Sequence, residues 1–157
     1  MWYNKLNTYN YADIAYVCRG RKKSMTRHES RELAFILIFE KSFQSDVTVV
    51  ELIESALELE LFPANAFAEN LARKVYDNLE DIDKLIDENL VRWSAKRISR
   101  TARAIMRLSV CELMFSEDLP IGVIINEAVE IAKKYATKED ASYINGVLAT
   151  VAKKLGR

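Results

Sequence analysis

Six residues have types and spacings that suit contact with a nucleic acid. Arg27, His28 and Arg31 stand together where a long helical pattern begins. Arg27 and Arg31 are four apart and share a helix face. Cations there oppose the helix dipole, yet the first turn of a helix is also where free backbone N–H groups hold a phosphate. An arginine adds a planar donor fork that fits phosphate oxygens. The alternative is a solvated helix end, and the pattern alone favours neither. Arg103 belongs to a second basic stretch, in which Arg100, Arg103 and Arg107 recur three and four apart on one face. Tyr143 and Asn145 form a third group. A tyrosine ring can stack on an unpaired base, and an asparagine amide can hydrogen-bond a base edge. Periodicity by itself places Tyr143 in the core and leaves Asn145 at a base or facing water.

Catalytic signatures are missing. The chain has no glycine-rich phosphate loop, no GxSxG and no HExxH. Its many acids are spaced as outer helix faces rather than as an acid–base pair in a pocket. One histidine and no CxxC argue against zinc, and no cofactor is expected. Cys18 and Cys111 are too few for a disulfide framework, and Cys111 lies in an apolar pattern that reads as core. No apolar run is long enough to cross a bilayer, and no signal peptide opens the chain. Cytosol is the simplest compartment.

The elements that position these residues are helical. The 157 residues suffice for one domain with a real core. Residues 1–24 carry five bases and one acid and keep no helical or strand period. A basic arm, an ordered extension and an upstream leader compete there; the reading favours a leader with at most partial order. Residues 25–91 hold six bases and fifteen acids, and residues 92–157 twelve bases and seven acids. A neutral total thus hides an acidic half and a basic half, which permits nucleic-acid contact through one face. From Thr26 a helix runs through Leu33, Ile36, Leu37 and Phe43, apolar nearly all round and therefore central. Asp46, Pro63 and Asp81 mark the next three helix starts, with Val50, Ile53 and Leu57 facing inward on the first of them. Trp93 and Ser94 mark a joint before the basic helix.

The most informative stretch is 119–148. Pro120 opens one helix, and Thr137 caps another, with Asp140 placed to complete a capping box. Gly156 suits a C-terminal stop. Asn145-Gly146 is a hairpin signal, but its flanks repeat at helical spacing, so helix is predicted. A glycine inside a helix costs up to about 1 kcal/mol relative to alanine, so a close neighbouring helix or a ligand should account for it. The count is about seven helices and no strand.

Three segments carry a family resemblance: RHESRELAFILIF, then W…RISRTARAIMRLSVCELMFSEDLP, then INEAVEIAKKYATKEDASYINGVL. From Met25 to about Leu155 the chain resembles the NusB family of transcription antitermination factors. Asn126-Glu127-Ala128 and Asn145-Gly146-Val147-Leu148 are the strongest pieces. The resemblance implies an all-α fold of two packed three-helix bundles over residues 25–157, with the first helix shared. It implies binding rather than catalysis. The ligand is single-stranded boxA RNA of nascent ribosomal transcripts, held together with the ribosomal protein NusE on transcribing RNA polymerase. Arg27, His28, Arg31, Arg103, Tyr143 and Asn145 fall where the family contacts RNA, which moves Tyr143 from core to base platform at its outer edge. A homodimer, known for some members, would cover the arginine-rich edge.

Two departures from the family pattern bear on affinity. Arg27-His28-Glu29 stands where several consecutive arginines are common, and Glu29 would repel phosphate. Weak binding alone, strengthened by NusE, is therefore expected. A Cys at 111 replaces a common Tyr, a structural change. Two alternatives remain. One is a non-catalytic adaptor that binds only protein. The other is the helical module appended to ribosomal RNA cytosine methyltransferases, although no catalytic domain is expected in a chain that stops at Arg157.

Overall fold

The computed structural model describes residues 25–90 and 98–157. The expectations for residues 1–24 and for the Trp93–Ser94 joint lie outside the described residues. The rest forms seven helices with no strand among the described residues: α1 Arg27–Lys41, α2 Val49–Glu58, α3 Ala66–Asp77, α4 Leu79–Glu88, α5 Arg100–Phe115, α6 Ile121–Tyr135 and α7 Lys138–Lys154.

Helix starts follow capping chemistry. Thr26, Thr48 and Thr137 each close a reciprocal box with the residue three on, namely Glu29, Glu51 and Asp140. Each box satisfies two backbone N–H groups that the helix itself leaves unpaired. The predicted Thr137–Asp140 box is therefore present. The predicted start at Asp46 is corrected to Thr48: Asp46 takes only the Ser45 hydroxyl at 2.9 Å, whereas Thr48 and Glu51 exchange two backbone bonds. The later start turns Val49 inward and leaves Val50 exposed. Pro63 likewise yields to Asn65, whose side chain accepts from Ala68 N at 2.9 Å. Asp81 lies in the first turn of α4, one turn inside the start after Asn78. Gly156 stops α7 at φ +73°, a conformation that glycine adopts without strain.

Packing divides into two triads. α1, α2 and α3 touch one another, as do α5, α6 and α7. α1 and α5 join the triads, and α4 bridges α3, α5 and α7. Centrality is thus shared, since α5 touches five helices and buries a continuous run from Leu108 to Leu113. Ile38, Ile105, Met106, Leu113, Ile124 and Leu148 are among the largest fully buried side chains. Each such residue stabilises the fold by about 1.5–3 kcal/mol through apolar burial. Cys111 is buried with its thiol pushed up to about 12 by desolvation, consistent with a small core residue. Arg157 donates to the carbonyls of Leu113 and Leu119, both at 2.8 Å, and of Ser116 at 3.1 Å, so it caps the C-terminal end of α5.

Candidate nucleic-acid interface

The N-terminal end of α1 presents an arginine and a histidine on fixed supports. The Arg27 guanidinium lies 4.4 Å from the ring centroid of Phe67 on α3, a cation–π contact. His28 Nδ1 is 2.8 Å from Glu127 Oε2 on α6. Both residues are exposed. Glu29 has a structural task here. Its carboxylate accepts from Thr26 N at 2.7 Å, and Thr26 Oγ1 accepts from Glu29 N at 3.2 Å. That box occupies backbone donors that would otherwise be open to a phosphate, so anion binding at this end falls to side chains.

Arg31 does not join them. It is 5% exposed, and its Nε donates to both carboxylate oxygens of Glu112 at 2.9 and 3.1 Å. Glu112 is 3% exposed. Burial pushes its carboxyl above the ordinary range, against the pull of the Arg31 guanidinium. The predicted solvent-side phosphate contact by Arg31 therefore has no exposed guanidinium to make it. The reason is the helix phase: position 31 is one turn on from Arg27 but faces α5 in the interior.

The basic face of α5 is also engaged. Arg107 grips Asp83 through two bonds of 2.8 and 2.7 Å, and Arg103 bonds Asp87 at 2.8 Å and lies 3.6 Å from Asp83. Arg100 donates to the Ser42 carbonyl at 3.0 Å and stacks over Phe43 at 4.6 Å. The acids of α4 thus neutralise Arg103 and Arg107, while Arg100 stays exposed with no acid partner among the described residues. Arg103 is nine residues along α5 from Glu112, roughly 13 Å at the helical rise, which places it well away from the end that holds Arg27 and His28.

Tyr143 and Asn145 are two residues apart on α7, and such residues point to nearly opposite sides of a helix. Tyr143 is half-buried against the core. Asn145 is exposed and faces α6, where an open groove of about 740 Å³ is lined by Ile125, Asn126, Val129, Lys133, Lys138 and Asn145 among others. Of the two explanations offered for Gly146, the neighbouring helix is excluded: a Cβ built there meets nothing within 4 Å.

The sequence reading assigned no role to the groove residues Asn126, Lys133 and Lys138, nor to Phe67 and Glu127, which hold Arg27 and His28. Their signal was available in part. Asn126, Val129 and Lys133 recur at three and four residues, and Asn126-Glu127 stands in the strongest family motif. What was missing is the pairing of α6 with α7 and of α1 with α6.

Comparison with known proteins agrees with this architecture. The model of the NusB family matches residues 28–153. The antitermination protein NusB of Syntrophotalea carbinolica is 44% identical over 111 residues, which is 71% of this chain and 70% of that one. The Clostridium novyi protein of the same name is 36% identical over 139 residues, 82% of this chain and 99% of its own. Among solved structures, T. maritima NusB superposes with a TM-score of 0.74 at 35% identity, covering 84% of this chain and 94% of that one. A complex of antitermination factors NusB and NusE with double-stranded RNA matches at 0.70 and 27% identity, covering 83% and 99%. With helices, motif order and relatives in agreement along most of its length, this chain belongs to the NusB family.

Proposed function

We propose that this chain is a cytoplasmic transcription antitermination factor that acts by binding and not by catalysis. It holds boxA-type RNA of nascent ribosomal transcripts together with a NusE-type ribosomal protein, within a transcribing polymerase complex. The observation that carries the reading is the end of α1. There Arg27 and His28 are pinned to Phe67 and Glu127 and remain exposed. A pinned side chain loses less freedom on binding than a mobile one. Such contacts position a strand without reading it, and base edges fall to groups such as Asn145 and the outer rim of Tyr143. Arg31 and Arg103 act through the fold, by holding α1 to α5 and α4 to α5.

So few exposed cations give weak binding alone. About three phosphate contacts on a single strand give a salt slope near −2, or roughly 20-fold loss between 50 and 200 mM salt. A partner that adds contacts of its own supplies the rest, and the exposed acids Glu80 and Asp81 at the start of α4 suit a basic protein through steering. The test is a titration of labelled single-stranded boxA RNA, a scrambled strand and a duplex, with and without NusE, at two salt concentrations. Preference for the boxA strand, raised by NusE and lowered by salt, supports the reading. Equal weak binding of all three, indifferent to NusE, defeats it.

One observation favours a second reading, a protein-only adaptor: Arg100, Arg103 and Arg107 are all spent on internal contacts. An adaptor with a mainly apolar interface would keep its affinity as salt rises.

A further inference from the structure

Of the residues that line the groove between α6 and α7, only Asn145 enters the contacts described above. We infer that it receives one unstacked nucleobase of the bound strand, with Asn126 and Asn145 meeting the base edge and Lys133 and Lys138 taking the adjoining phosphates. This inference rests on the RNA-binding reading.

The chemistry of the walls is specific. Ile125 and Val129 give the groove an aliphatic surface, with Gly122 and Ala141 leaving room beside them. Two lysines and no acid line it, in a chain whose charges balance overall. An occupant therefore has apolar faces, a polar edge and negative charge nearby, which describes a nucleotide. A side-chain amide offers both a donor and an acceptor, the mixed pattern of a base edge. Both asparagines are exposed, so neither is spent on the core. Lys133 shares its ammonium with Glu130 at 2.6 Å, an exposed pair three residues apart whose small worth a phosphate can replace. About 740 Å³ is ample for a base with its sugar.

Continuity with the end of α1 supports the same occupant. Asn126 precedes Glu127, which holds His28, so the groove and the N-terminal end of α1 lie on adjacent faces of α6. A strand laid over Arg27 and His28 can therefore reach the groove mouth.

The test uses the full chain with NusE and a set of boxA strands in which each nucleotide in turn is abasic. Asn126→Ala and Asn145→Ala, both at exposed positions, are compared with wild type after thermal unfolding shows them folded. Removing one particular base should weaken wild-type binding by about tenfold and weaken the asparagine variants much less, because the same contact is already lost. Val129→Trp, which fills the groove, should reproduce that position-specific loss. Equal losses at every position in wild type and variants overturn the inference while leaving the antitermination reading in place. So do groove variants that bind every RNA normally and lose NusE, since the groove is then a protein-docking surface. A wild type that binds no RNA overturns both.

Discussion

Two arginines four residues apart meet opposite fates in this chain. Arg27 rests on Phe67 in solvent, and Arg31 is buried against Glu112. Arg27→Ala should leave the unfolding midpoint nearly unchanged and lower RNA affinity several-fold, since phosphate contacts are roughly uniform and salt-dependent. Arg31→Ala should cost about 3–5 kcal/mol in denaturant unfolding, because it strands Glu112 as an unpaired buried acid. Arg31→Glu, which sets a second acid against the buried Glu112, should unfold the protein. Gly146→Ala separates stability from binding at one backbone position. With no neighbour to meet, the added methyl should stabilise α7 by about 0.5–1 kcal/mol. A drop in RNA affinity in the same variant would show that the bare backbone serves the ligand.

Helices here are held by chemistry at their ends and by ion pairs along their flanks. α4 is the clearest case. It has no side-chain cap, and its acids tie it to α5 through Asp83–Arg107 and Asp87–Arg103, and to α7 through Glu88–Lys154. Asp83→Asn should loosen α4 by about 1–3 kcal/mol and release the Arg107 guanidinium, while Arg103 keeps Asp87. The variant should then bind RNA less selectively and with a steeper salt slope, as RNA titrations at two salt concentrations would reveal. Caps carry a pH signature. The Glu51 carboxyl is held below its ordinary range by hydrogen bonds from the Thr48 backbone and hydroxyl. Its native pKa being the lower one, its contribution is present above about pH 4.5 and is lost as pH falls through the native value. Thr48→Ala should cost about 1 kcal/mol at pH 7 and less at pH 3, a difference that denaturant curves at the two pH values would measure.

At the scale of the whole molecule, α1 and α5 join two triads of helices around one core. Cys111 sits in that core with its thiol near 12, so almost no thiolate exists at pH 8. In a Cys18→Ser background, iodoacetamide should leave the native protein unmodified and should label Cys111 only as denaturant unfolds it globally. Labelling without denaturant would mean that the core opens locally.

Helix existence, the central place of α1, the Thr137 cap, the Gly156 stop and the core role of Cys111 were all determined by local pattern. Each depends on residues within a few positions of one another, and helical periodicity records such relations directly. Helix starts at Asp46, Pro63 and Asp81 were misread because several nearby residues could cap: Thr48 wins by closing a reciprocal box and Asn65 by accepting from Ala68 N, whereas α4 begins after Asn78 with no side-chain cap at all. The candidate site was legible only as residue types. Which arginine faces solvent, which acid neutralises Arg103, and that Asn145 shares a groove with Asn126 while Tyr143 points away were decided by tertiary packing. Those facts depend on the phase of one helix against another, and partners 81 residues apart, such as Arg31 and Glu112, leave no mark in local spacing.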